Sequence, residues 1–390
     1  MNGRLSVTAV SLLLAVAAPA QTENLAVPPY QGVYEPQGVD ERGLWMEADE
    51  TERSARDSGL LIRDQTLNDY VRSVLCRTVG DDRCRNVRIY ILRIPSFNAT
   101  MFPNGMMTVW SGLLLRCRTE AELASVLGHE FAHFERRHTV NRFRRTRTAT
   151  DILAWSALIG AVTAQPSNTD LLVIGGLFRF NRDQEREADV LGLAYLTRST
   201  YRPQGASEIW VRMMGEVDAS ALGRAQRSRR YDRAPFFATH PTELERATYL
   251  RSLAGPDIAG RADNAEAYAA AMRPWTRIFL EDQVRLNDFG GTEFVLAQSA
   301  GNRWTADLLF ARGELYRMRG NPRDLVNAAD FYRQSITQDD GRPEAFRGLG
   351  LALMRARSTE EGKAALRRYL ELKPDAPDAP MIRALVDQAF

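Results

Sequence analysis

Lysine is almost missing from this chain. Of its 51 basic residues only Lys363 and Lys373 are lysine, and the rest are arginine. That bias fits a GC-rich bacterial genome and says nothing about activity. Histidine is scarce as well, with four in 390 residues. Cysteine occurs three times, at Cys76, Cys84 and Cys117, and never as C-x-x-C, which argues against a thiolate zinc site. There is no Walker A loop, no G-x-S-x-G elbow and no dinucleotide fingerprint, so the common phosphate-binding and serine-hydrolase readings fall away. A formal net charge of +2 gives no global reason to expect nucleic acid. The apolar runs at 152–163 and 171–180 are each too short for a conventional transmembrane helix.

What remains is an ordinary globular composition, 44% hydrophobic and 26% charged, long enough for two or three domains. Arg4, an apolar run from about Val7 to Ala18, and Ala18-Pro19-Ala20 read as a secretory signal peptide over 1–20. In a bacterium the mature chain is then expected in the periplasm, or outside the cell. Cys76 and Cys84 are close enough to close a small loop, and an oxidising compartment permits that bond. Cys117 is left over and reads as a buried free thiol.

The segment 21–39 is expected to be loosely ordered, and 40–80 helical. Val87–Ile91 alternates and reads as a strand, followed by a Pro/Asn loop and a second strand over Met106–Trp110. Thr119 with Glu122 forms the signature of a capping box at the start of a helix. Residues 152–163 and 171–180 read as a helical hairpin, buried or lying as a flap against a membrane. Another helix is expected from Asn181 to about Thr197. After about residue 272 the pattern changes. Gly313, Tyr316, Ala328, Ala329 and Tyr332, then Gly350, Leu366 and Pro374, carry the small-and-aromatic spacing of tetratricopeptide repeats, and 274–300 could add a further helix pair. The expected division is a peptidase-like domain over 40–272 and a helical repeat domain over 273–390.

Three of the four histidines, His129, His133 and His138, fall within ten residues. His129-Glu130-Phe131-Ala132-His133 spells H-E-x-x-H in a helical segment. The i, i+4 spacing stacks both imidazoles on one face, where they can grip one zinc ion, with Glu130 beside the metal as general base. A catalytic zinc needs a third protein ligand. On the helix Arg182–Asp189, Arg182, Glu185 and Asp189 share a face, so Glu185 is the leading candidate and Glu187 its competitor. Asp189 would orient a ligand imidazole from behind. Without the H-E-x-x-H this stretch would read as a solvated charged face. His138 lies too far round the helix to reach the same metal and reads as structural. Arg136, Arg137, Arg142, Arg144, Arg145 and Arg147 read as a solvated helix end complementing the dipole, with anionic lipid as the sharper alternative.

H-E-x-x-H followed by Glu185-Arg186-Glu187-Ala188-Asp189 resembles the paired motifs of the HtpX and CAAX prenyl protease group of zinc metallopeptidases. It resembles more closely the periplasmic BepA branch, which joins that catalytic domain to tetratricopeptide repeats. Asn98-Ala99, Pro103 and Gly105 resemble the family's N-A-x-x-x-P-x-G stretch, and His240-Pro241 with Arg246 its H-P-x-x-x-x-R motif. The resemblance implies a mainly α (α+β), gluzincin-like peptidase domain with a small sheet, followed by helical repeats. It implies one zinc ion per chain on His129, His133 and Glu185, with Glu130 as base and Asp189, Arg182 and Arg246 around the ligands. It makes Met106, Met107, Thr108, Val109 and Trp110 the edge strand that pairs with an extended substrate. It also makes His240 a fourth ligand or switch, or an oxyanion donor in the active state, against the plainer reading of a loop histidine bonded to a carboxylate. The implied activity is a periplasmic metalloendopeptidase acting on unfolded or stalled envelope proteins, with the outer-membrane barrel-assembly machinery as partner through the repeats. Peripheral membrane contact belongs to the same picture. The rivals are a chaperone or assembly factor working through its repeats with a mostly silent metal site, and a membrane protease using 152–180 as a hairpin.

Overall fold

The computed structural model describes residues 25–145, 182–228, 231, 242–256 and 260–388. The signal segment, the 152–180 hairpin and His240 lie outside the described residues. Helix α1 (Gly38–Asp57) precedes α2 (Gln65–Val79) and the short α3 (Asp81–Cys84). Three strands follow, β1 (Arg88–Leu92), β2 (Ala99–Met101) and β3 (Met106–Trp110). Then come α4 (Ser111–Arg116), α5 (Glu120–Glu135) and α6 (His138–Arg145).

The sheet corrects one expectation. Its order is β1–β3–β2, with β3 parallel to β1 and antiparallel to β2. Met106–Trp110 is therefore the central strand, buried at every residue, and has no free edge for a substrate. The outer strands are β1, whose far side meets Leu61 and Ile62, and β2, which lies in the stretch expected to be a loop and pairs with no further strand among the described residues. Three residues are too short for an alternation to show, and Asn98 with Pro103 makes the segment look like a turn.

Cys76 and Cys84 form the disulfide that their spacing permits, and Cys117 is free and buried as expected. The bond staples the last turns of α2 to α3 ahead of β1. On the other side of the sheet, Glu52 of α1 is a hub. Its carboxylate accepts from Arg56 at 2.7 Å, Arg88 at 2.6 and 2.6 Å, Tyr90 Oη at 2.7 Å and Asn104 at 3.0 Å. Burial would raise its pKa, but the Arg88, Tyr90 and Arg56 bonds outweigh that and hold it at about 2. A depressed carboxyl contributes stability that is complete above its ordinary pKa of 4.5 and fades as pH falls from there toward 2. Glu52→Gln should therefore cost about 2 kcal/mol at neutral pH, allowing for two half-exposed arginines. The gap between denaturant melts of the two proteins should narrow below pH 4.5 and close only as pH falls to about 2; a gap that stays constant would show the hub contributes nothing ionic.

Helix α5 carries the H-E-x-x-H. Thr119 caps it, its Oγ1 accepting from the Glu122 amide at 3.1 Å. The reciprocal half of the expected box is diverted. The Glu122 carboxylate takes the Arg118 amide at 2.6 Å and both arms of Arg212 at 2.7 Å, a charge-assisted pair stronger than a bond back to Thr119. The next described helix, α7 (Arg182–Arg198), crosses α5 at closest backbone approach. A Cβ on Gly192 would stand 3.0 Å from the His129 amide nitrogen, and one on Gly128 would stand 3.5 Å from the Gly192 carbonyl oxygen. Glycine at both positions is what brings α7's carboxylates within reach of α5's imidazoles.

Helices α8 (Gly205–Gly223), α9 (Glu243–Ala254), α10 (Ala265–Arg285) and α11 (Phe289–Ala300) follow. The expected domain boundary at 272/273 falls inside α10 and is not a linker. Tyr268, Met272, Phe279, Leu280 and Val284 of that helix lie in the same core as Leu113, Leu114 and Ala121. Tyr268 Oη donates to the Leu114 carbonyl at 2.6 Å, and Arg93 pairs with Asp282 at 2.5 and 2.9 Å. Two helices do cover 274–300, and the second of them, α11, packs on α8, with Ser220 Oγ donating to Asp288 at 2.7 Å.

The end of the chain is two helical hairpins, α12 (Ala306–Arg319) with α13 (Pro322–Gln338) and α14 (Pro343–Arg355) with α15 (Thr359–Leu372), closed by α16 (Ala379–Asp387). The small-and-aromatic pattern is their packing. Tyr332 of α13 is fully buried between Gly313 and Gly348, where an added Cβ would meet its ring at 2.8 and 2.4 Å.

Candidate metal centre

Glu185 and Asp189 are both buried on one face of α7, and Glu187 on the opposite side is half exposed. This separates the two candidate ligands. His129 Nε2 and His133 Nε2 stand 3.0 Å apart, and each lies 3.7 Å from a different Glu185 oxygen. The three donors form a group that could hold one metal ion. Tetrahedral zinc, with ligand distances of about 2.0–2.2 Å, holds its donors roughly 3.3–3.6 Å apart. Two neutral nitrogens and one carboxylate at these separations fit such an ion without rearrangement of either helix.

The outward nitrogens are held as a metal requires. His129 Nδ1 lies 2.8 Å from Asp189 Oδ1, so Nδ1 carries the proton and Nε2 keeps its lone pair for the centre. Burial and Arg246 would lower the His129 pKa, but Asp189 and Glu185 outweigh them and the net direction is up. Asp189 is itself clamped. Arg246 of α9 donates to both of its oxygens, at 2.7 Å through Nε, and Tyr249 Oη bonds Oδ2. Burial would raise this carboxyl, yet Arg246 and His129 hold it well below the usual carboxylate range. The Arg246 guanidinium lies 3.8 Å over the Trp210 ring and 3.7 Å from Glu185.

Glu130 faces the sheet. The Met101 amide of β2 donates to Glu130 Oε2 at 3.1 Å. Enclosure pushes this carboxyl up to about 7, with Glu185 adding to the rise and His129 opposing it. A carboxyl near neutrality can both accept and return a proton.

Other expectations fare differently. Arg182 is exposed at the first described turn of α7, outside the buried cluster. His240 cannot be placed, lying outside the described residues. The arginine-rich helix end is partly engaged: Arg136 Nε bonds Glu187 at 3.0 Å, Arg144 bonds Glu41 and Tyr34 at 2.5 and 2.7 Å, and Arg137 stacks 4.6 Å over Tyr34. These contacts hold Tyr34, within the segment expected to be loose, and Glu41 of α1 against α6. His138, buried and outside the donor triad, lies with Nδ1 2.9 Å from His133 Nδ1 and Nε2 3.1 Å from Glu187. Tyr249 and Trp210 had no signal in the sequence; Gly128 and Gly192, glycines inside helices, did have one.

An H-E-x-x-H helix, a carboxylate brought to it by a second helix and a supported outer ring together define a metallopeptidase centre. Residues 62–254, from just before α2 to the end of α9, match the model of peptidase family M48. The mitochondrial metalloendopeptidase OMA1 of Schizosaccharomyces pombe is 31% identical over 201 residues, 51% of this chain and 56% of the relative. The putative beta-barrel assembly-enhancing protease of Vibrio cholerae is 28% identical over 213 residues, 52% of this chain and 42% of the relative. The beta-barrel assembly-enhancing protease of Escherichia coli K12 is 25% identical over 181 residues, 43% and 37%. The chain spans about half the length of these curated relatives or less.

Proposed function

We propose that this protein is a zinc-dependent metalloendopeptidase of the bacterial periplasm, acting in quality control or assembly of envelope and outer-membrane proteins. The observation that carries the enzymatic part is the convergence of His129 Nε2, His133 Nε2 and Glu185 within coordinating distance of one point. Zinc held by His129, His133 and Glu185 would supply an acidified water and a Lewis acid for the scissile carbonyl. Glu130 takes the proton of the attacking water and returns it to the leaving nitrogen. Asp189 holds His129 in the Nδ1–H tautomer, and Arg246 keeps Asp189 ionised and aimed.

The substrate backbone pairs with β2, not with Met106–Trp110. Asn98 and Phe102 spend their bonds on β3, so by alternation the backbone groups of Ala99 and Met101 face the α5 side. Ala99→Pro removes one of these amides without touching a β3 bond. It should raise KM for an extended peptide by about tenfold with kcat less affected; unchanged kinetics would remove β2 from recognition.

The location is supported by the Cys76–Cys84 bond, which suits an oxidising compartment, and by the export-like N-terminus. Among the described residues no helix is long and apolar enough to cross a membrane. Two relatives are named for beta-barrel assembly, and on that likeness the paired helices α12–α15 dock substrate or the barrel-assembly machinery. Metal analysis of the purified protein should find one zinc per chain. A chelator should abolish casein cleavage and added zinc restore it. Cleavage that survives complete metal removal would end the proposal.

A further inference from the structure

The two ligand imidazoles are anchored differently. His129 reaches a carboxylate directly, at Asp189. His133 is backed through a second imidazole: its Nδ1 faces His138 Nδ1 at 2.9 Å, and His138 Nε2 faces Glu187 Oε2 at 3.1 Å. Glu187 Oε1 in turn accepts from Arg136 Nε at 3.0 Å. Given the metal reading above, on which this rests, the protons can be assigned in only one consistent way. His133 keeps the Nε2 lone pair for the centre, so its Nδ1 carries hydrogen and donates. His138 Nδ1 must then accept, which places the His138 proton on Nε2, facing a carboxylate that can only accept. Arg136 supplies the donor for the other Glu187 oxygen. Every link donates toward Glu187.

We infer that His138 and Glu187 are positioning residues for the metal centre: Glu187 fixes the tautomer of His138, and His138 fixes the tautomer and ring orientation of His133. The relay lets α5 present a second ligand whose supporting carboxylate lies on the exposed side of α7, half open to solvent, while Asp189 occupies the buried side. His138 stands on α6, beyond a turn that Arg137 makes at φ 56°. That turn swings the chain back so that a residue five positions past His133 comes to lie behind it.

The test measures zinc affinity by competition with a chromogenic chelator, together with the thermal midpoint of the metal-free protein. Glu187→Ala alters a half-exposed side chain and should weaken zinc binding about tenfold, at the lower end for outer partners of a ligand, with the metal-free midpoint unchanged. His138→Leu removes both links and should weaken it toward about a hundredfold. His138→Asn places an amide oxygen where Nδ1 stands, keeps the link to His133, and should recover part of that loss. A merely structural His138 would move the midpoint and would not distinguish Asn from Leu. Should His138→Leu fail to fold, Glu187→Ala and His138→Asn still decide. Wild-type affinity in Glu187→Ala and His138→Asn overturns the inference, as does a loss that follows the metal-free midpoint. An unaltered chain that takes up no zinc overturns the metal reading and this inference together; normal zinc uptake with indifferent variants overturns this inference alone.

Discussion

Glu130→Gln should leave zinc binding intact and lower the rate of casein cleavage by about 10²–10⁴-fold, the usual contribution of a positioned general base. The substitution is close to isosteric. A glutamine oxygen can still accept the Met101 amide that now bonds Glu130 Oε2 at 3.1 Å, so the α5–β2 contact should survive. What disappears is a group able to take a proton and give it back. The loss should therefore fall on kcat, with KM nearly unchanged, because the missing interaction belongs to the transition state. Glu130 is also well chosen for both halves of the reaction, since its surroundings push the free carboxyl up to about 7. Cleavage within tenfold of the unaltered chain would remove Glu130 from the chemistry. The same variant separates the rival reading. An envelope phenotype complemented by Glu130→Gln, with proteolysis gone, would place the function in the helical hairpins.

How much of this was legible beforehand follows from the range of each interaction. H-E-x-x-H is a local pattern, since helical periodicity alone puts His129 and His133 on one face. Glu185 over Glu187 was also legible, because three-and-four spacing with Asp189 selects a face. The relay through His138 was not. Counting positions along a straight helix carries His138 away from His133, and only the left-handed residue at Arg137 brings it back. Strand order was illegible for another reason. Met106–Trp110 has the composition of a buried strand, but whether such a strand is central or at an edge depends on β2, three residues with no pattern of their own. The change in composition near 272 marks no break in packing, since Tyr268 and Met272 continue the core of α4 and α5. The Gly128–Gly192 crossing could have been suspected, since glycine inside a helix costs about 1 kcal/mol and persists where backbones must meet.

Arg246→Met should destabilise the metal-free protein by about 3–5 kcal/mol, the cost of leaving a buried charge without its partner. Asp189 is 4% exposed, and Arg246 supplies two of its bonds from a site that is itself 7% exposed. Methionine keeps the apolar stem over Trp210 but provides no donor. Asp189 is then left with His129 and Tyr249, and its carboxyl must rise from its depressed position. Zinc affinity should fall as well, by about 10–100-fold, because a poorly held Asp189 fixes His129 less well. The decisive measurement is a double-mutant cycle on the metal-free protein. Asp189→Asn alone strands the Arg246 charge, and Arg246→Met alone strands the Asp189 charge. Together they strand neither, so the double variant should be more stable than the sum of the single losses predicts, by at least about 1 kcal/mol. Strict additivity would mean that the two side chains act on the centre separately. With coupling, α9 becomes part of the metal site although it contributes no ligand, since α9 carries the charge that keeps Asp189 ionised and thereby keeps the His129 lone pair turned toward His133 and Glu185.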